Sequence, residues 1–99
     1  MGLTDDQKEI CRQVVEKFGR RRQTLKVAEE LRELAAELEA AAHGMGTTLK
    51  KIVDERADVA IMLYQLDELI LPGAASQVPY RIPAKIQKLQ RYLEVESGR

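Results

Sequence analysis

The chain has 99 residues with 16 basic and 16 acidic side chains, a formal net charge of zero, so it fits one domain whose modest core is often completed by oligomerisation. The charge balance argues against a nucleic-acid binder, which needs a positive field to follow the backbone. Cys11 is the one cysteine, which excludes an intramolecular disulfide and a cysteine-based zinc site and leaves it as a small, half-buried hydrophobe. The start MGLTDDQKEI has no apolar segment behind a basic flank, and the longest apolar run, residues 59–63, is far too short to cross a bilayer. The expectation is a cytoplasmic protein with no membrane partner.

In chain order, Thr4 and Gln7 form a capping-box pattern, Ile10, Val14 and Phe18 supply apolar spacing, and Gly19 closes a first helix. A second helix, rich in Ala, Leu and Glu, is expected from about residue 22 to residue 42 and ends at His43-Gly44. His43 reads as a residue at the helix C-terminus, where the dipole favours it, rather than as a ligand. Thr47 or Thr48 can cap a third helix, whose stripe of Ile52, Val59, Leu63, Leu66 and Ile70 runs until Pro72 forbids continuation. PGAASQVPYRIP reads as a loop, and Pro83 opens a short fourth helix carrying Ile86, Leu89 and Leu93. No repeat or linker divides the chain, so a single all-α domain over residues 1–99 is expected.

Acidic residues carry the chemistry. Glu30 and Glu33 lie three apart on the second helix, on one face, and Glu55 and Asp58 repeat that arrangement on the third. If these helices pack antiparallel across residues 44–47, the two pairs face one another. Four carboxylates cannot stay ionised together inside a helical bundle, because desolvation and repulsion both raise their pKa values. A divalent cation resolves the conflict. Hard oxygen ligands suit Mg²⁺, with Mn²⁺ as a substitute, and such an ion bridges carboxylates to phosphate oxygens, so a phosphate-bearing substrate is implied. Glutamate is also a favoured helix former, and Glu29, Glu37 and Glu39 lie on the same helix, so a solvated acidic face is the competing reading. Asp58 weighs against it, because it stands at the edge of the strongly apolar VAIMLYQL.

These residues carry a resemblance. KVAEELRELAAELEAA followed by DERADVAIMLYQL resembles the MazG-like nucleotide pyrophosphohydrolases, whose signature is ExxE, a spacer, then ExxD; Glu30, Glu33, Glu55 and Asp58 match it. The preceding FGRRRQTLK and the tail IPAKIQKLQRYL are similar to the flanks of short, phage-type members, so the likeness spans about residues 8 to 93. Phe18 stands before Gly19 where common members carry Trp, and the loop between the second and third helices is short. The resemblance implies a four-helix MazG-like bundle completed by homo-oligomerisation, as a homodimer or homotetramer. It also implies a hydrolase that cleaves a nucleoside triphosphate between its α- and β-phosphates, giving a monophosphate and pyrophosphate. In that mechanism Glu30, Glu33, Glu55 and Asp58 are Mg²⁺ ligands, and Glu33 is the catalytic residue that accepts the proton of the attacking water.

Around this core, Lys26 lies one turn before Glu30 and could contact phosphate or simply pair with Glu30. Lys50 and Lys51 open the third helix as phosphate contacts or as a solvated pair, and Gln65 could meet a base or sugar or pack at the core edge. The basic run at residues 20–22 is expected between the first two helices. Two other functions fit the same pattern. One is a phosphoribosyl-ATP pyrophosphohydrolase, against which the PGAASQVPYRIP insert argues. The other is a non-catalytic assembly module built on the stripes Leu31, Leu34, Leu38 and Val59, Leu63, Leu66; it would be indifferent to Mg²⁺.

Overall fold

The computed structural model describes residues 2–97, with side chains described through residue 95; residues 1, 98 and 99 of the expected domain lie outside the described residues. The chain runs through α1 (Asp5–Phe18), α2 (Arg20–Ala42), α3 (Leu49–Tyr64), a π-helical segment (Gln65–Ile70), α4 (Pro72–Ala75) and α5 (Val78–Ser97). The expected all-α class is found, with no strand among the described residues. Among the described residues, no helix is long and apolar enough to cross a membrane.

Local chemistry sets most of the boundaries. The Thr4 hydroxyl accepts from the Gln7 amide at 3.2 Å while the Gln7 side chain accepts from the Thr4 amide at 2.9 Å, closing the capping box ahead of α1. Gly19 alone separates α1 from α2; its φ of +88° is the left-handed conformation that favours glycine. The basic residues 20–22 therefore form the first turn of α2 rather than the expected connection. The connection is a single residue, and nothing in the arginines resists helix. At the other end, the Thr48 hydroxyl accepts from the Lys51 amide at 3.2 Å and caps α3. Thr47 donates instead to Glu37 at 3.2 Å and ties the α2–α3 loop back to α2.

α2 and α3 form the most extensive pairing, and α1 and the π-helical segment pack onto it. The inward stripe of α2 is Gln23, Val27, Glu30, Leu34 and Glu37; that of α3 includes Ile52, Glu55, Val59 and Leu63. Cys11 of α1, Val27 of α2, Val59 of α3 and Ile70 of the π-helical segment form a small core, each at most 5 % exposed. Cys11 is fully buried, beyond the half-buried place expected of it. Each apolar side chain so buried contributes about 1.5–3 kcal/mol.

Helix three continues to Pro72's border as expected, but its last turn widens. The Leu71 amide donates to the Leu66 carbonyl at 2.8 Å, an i→i−5 bond. In an α-helix, residues five apart diverge by about 140°. The wider turn brings them toward one side, and Gln65 and Ile70 are both buried.

Residues 72–83 depart from the expected loop. Pro72 starts the short α4, and α5 begins at Val78 and passes through Pro83. Pro79, not Pro83, takes the first-turn position where a missing N–H costs nothing. Pro83 forfeits one helical bond, on a helix whose side chains are exposed. α5 stands clear of the other helices, and every side chain from residue 76 to residue 95 is exposed.

Candidate metal centre

Glu30 and Glu55 each occupy a position that an apolar residue would fill in an ordinary helix pair, because both fall on the inward stripes of α2 and α3. Glu30 is 8 % exposed and Glu55 is half-buried. With Asp58, one turn further along α3 and exposed, they bring one carboxylate oxygen each within 4.8 Å of the others. Three of the four residues expected from the sequence therefore converge. Glu33, on the exposed side of α2, lies outside that group but close enough to act on Glu30.

The electrostatics of the cluster are unresolved by the chain itself. Burial pushes the Glu30 carboxyl above its ordinary value, the charges of Glu33 and Asp58 push it further, and Lys26 opposes them. Lys26 reaches Glu30 Oε1 at 3.4 Å and Glu29 at 3.5 Å. Its own pKa is raised by Glu29 first and then by Glu30. The second oxygens, Glu30 Oε2 and Glu55 Oε2, are buried and have no hydrogen-bond partner. A buried carboxylate oxygen without a donor costs about 1–3 kcal/mol or more, and two in one cluster are a cost that a cation would remove. The donor set, all carboxylate oxygen, is that of a hard divalent ion. The residues therefore fit a hard divalent cation, the class to which the expected Mg²⁺ belongs.

The expected phosphate contacts are less concentrated. Lys26 is at the cluster, in the ion pair with Glu30 that its spacing allowed. Lys50 is bound to Asp54 at 2.7 Å, with most of its side chain in solvent, and Lys51 is exposed beside it on the first turn of α3. Gln65 is 2 % exposed and accepts from Gln23 Nε2 at 2.9 Å. It belongs to the floor of a neighbouring groove rather than to the carboxylates.

That groove, about 1040 Å³, lies between α1, α2 and α3. Its walls include Ile10, Phe18 and Leu25; Arg21, Arg22, Lys26 and Arg32 line it with positive charge. The Arg22 guanidinium sits 4.7 Å from the centre of the Phe18 ring. Lys26 is shared between groove and cluster. Gln23 was not anticipated, although one signal was present: it falls four residues before Val27 and seven before Glu30, a polar residue on the buried stripe.

No family model, curated protein or solved structure matches the chain.

Proposed function

We propose that the protein is a Mg²⁺-dependent nucleoside triphosphate pyrophosphohydrolase, releasing a nucleoside monophosphate and pyrophosphate. The observation that carries this reading is that Glu30 and Glu55, each with a buried, unpartnered oxygen, converge with Asp58. The spacing ExxE then ExxD, which resembles that of MazG-like enzymes, adds the reaction class. The adjoining basic groove adds a place for the remainder of the nucleotide.

In this reading Glu30, Glu55 and Asp58 hold the metal, with Glu33 completing the set at its exposed edge. When bound, Mg²⁺ supplies positive charge to the phosphate oxygens and acidifies a coordinated water. Glu33 accepts the proton of the attacking water, whose oxygen forms the new bond to phosphorus as the bond between the α- and β-phosphates breaks. Pyrophosphate leaves with the electron pair of that bond. Lys26 holds Glu30 in place and offers its remaining donors to the phosphate chain. Phe18 and the aliphatic walls exclude water around the base, and the Gln23–Gln65 amides present donors and acceptors at the groove floor.

The test is pyrophosphate release from a panel of nucleoside triphosphates with Mg²⁺ and with chelator, comparing the wild type with Glu33→Gln and Asp58→Asn. Both replaced residues are exposed, so folding is preserved. Metal-dependent release that both substitutions abolish supports the reading, and release that survives both removes these carboxylates from the mechanism.

A further inference from the structure

The chain is too extended for its size. Its radius of gyration is 17.0 Å, against about 13 Å for a compact domain of about 100 residues. It exposes 7912 Å², whereas a folded monomer of 11.2 kDa exposes about 5,700 Å². The surplus, about 2,200 Å², exceeds the roughly 800 Å² per partner of a standard interface and falls within the range of obligate dimers.

Much of that surplus is α5. Val78, Ile82, Ile86, Leu89 and Leu93 recur at spacings of three and four and form one stripe along it, each between 49 % and 65 % exposed. Elsewhere on the same chain, Leu3, Ile10, Ala57, Ala60 and Ile61 line an apolar groove of about 390 Å³ between the start of α1 and α3. One chain thus carries both an apolar ridge and an apolar groove, so a second copy offers each surface its complement, and two such contacts related by a two-fold axis close a pair. Charge agrees with shape. α5 holds four of the 16 basic residues but two of the 16 acidic ones, which leaves the rest of the chain net acidic. Arg81, Lys85 and Lys88 flank the apolar stripe, and neither they nor Arg91 form an ion pair among the described residues.

We infer that α5 is a docking arm whose apolar stripe is covered by a second copy of this chain, each protomer lending its arm to its partner. This goes beyond the catalytic reading and stands whether or not the protein hydrolyses nucleotides.

The test is sedimentation of the full chain at micromolar concentrations, comparing the wild type with the double variant Ile86→Glu, Leu89→Glu. The wild type is expected to sediment at a multiple of 11.2 kDa. The variant should dissociate to monomer, its dissociation constant raised at least about 100-fold by two charges on the covered stripe, with helical circular dichroism retained. A second readout does not depend on that variant folding: wild-type amide exchange over residues 78–95 should slow as protein concentration rises. A monomeric wild type, an oligomer indifferent to both substitutions, or exchange in α5 independent of concentration would each overturn the inference.

Discussion

Replacing Glu30 with Gln perturbs the buried end of the carboxylate cluster while nearly preserving its volume. In metal-free buffer near neutral pH, the substitution removes an ionised oxygen that is buried without a donor, together with its repulsion from Glu33 and Asp58. Relief of such a group is worth about 1–3 kcal/mol. The lost contact with Lys26, a lysine half in solvent, gives back about 0.2–1 kcal/mol. The net gain is about 1 kcal/mol, a rise in Tm of roughly 4–8 °C for a domain of this size. The pH dependence follows from the raised pKa of Glu30. A carboxyl whose folded-state pKa exceeds its unfolded one contributes stability below the unfolded value, and that contribution is lost as pH rises through the folded value. The advantage of Glu30→Gln should therefore be absent at acid pH and grow as pH rises beyond the ordinary carboxylate range. On the proposed reading Mg²⁺ should reverse the ranking, because an ion present at 100 times its Kd would stabilise the wild type by about 2.7 kcal/mol and would find one ligand fewer in the variant. The assay is thermal unfolding by circular dichroism at equal protein concentration, in chelator and in millimolar Mg²⁺, across pH. A variant that is less stable than the wild type in chelator, or one that gains as much from Mg²⁺, would refute the reasoning.

Asp58→Asn alters an exposed side chain, so stability should change by no more than about 0.5 kcal/mol in chemical denaturation, while Mg²⁺ affinity measured by calorimetry falls at least tenfold. Gln65→Leu orphans the buried Gln23 amide and should cost about 1–3 kcal/mol; adding Gln23→Leu should recover much of that loss, a coupling that a double-mutant cycle measures. Thr4→Ala removes the α1 cap and should cost about 1 kcal/mol, read as a lower Tm.

What could be read from the residues alone was what short-range chemistry decides. The Thr4–Gln7 box, the break at Gly19, the cap by Thr48 and the stop before Pro72 each depend on neighbours within a turn. The carboxylate cluster was partly legible for the same reason: the three-residue spacings of Glu30 with Glu33 and of Glu55 with Asp58 fix a helix face. Which member turns inward depends on how the two helices are rotated against each other, and this separates Glu33 from the converging three. Pro79 and Pro83 were both able to occupy a first helical turn, and the start of α5 turned on which one did. The Gln23–Gln65 pair joins residues 42 apart through a π-helical turn, for which the sequence carries no local signature. Apolar spacing showed that Ile10, Phe18, Ile86 and Leu89 share helix faces, but a pattern on one chain does not say what covers it, and all four are exposed on the single chain.

The most direct test of the central claim is ³¹P NMR of a nucleoside triphosphate panel incubated with the protein and millimolar Mg²⁺. Cleavage of the bond between the α- and β-phosphates predicts monophosphate and pyrophosphate resonances growing together, and their disappearance in chelator. An unchanged triphosphate spectrum across the panel, or growth of diphosphate and orthophosphate instead, would contradict it.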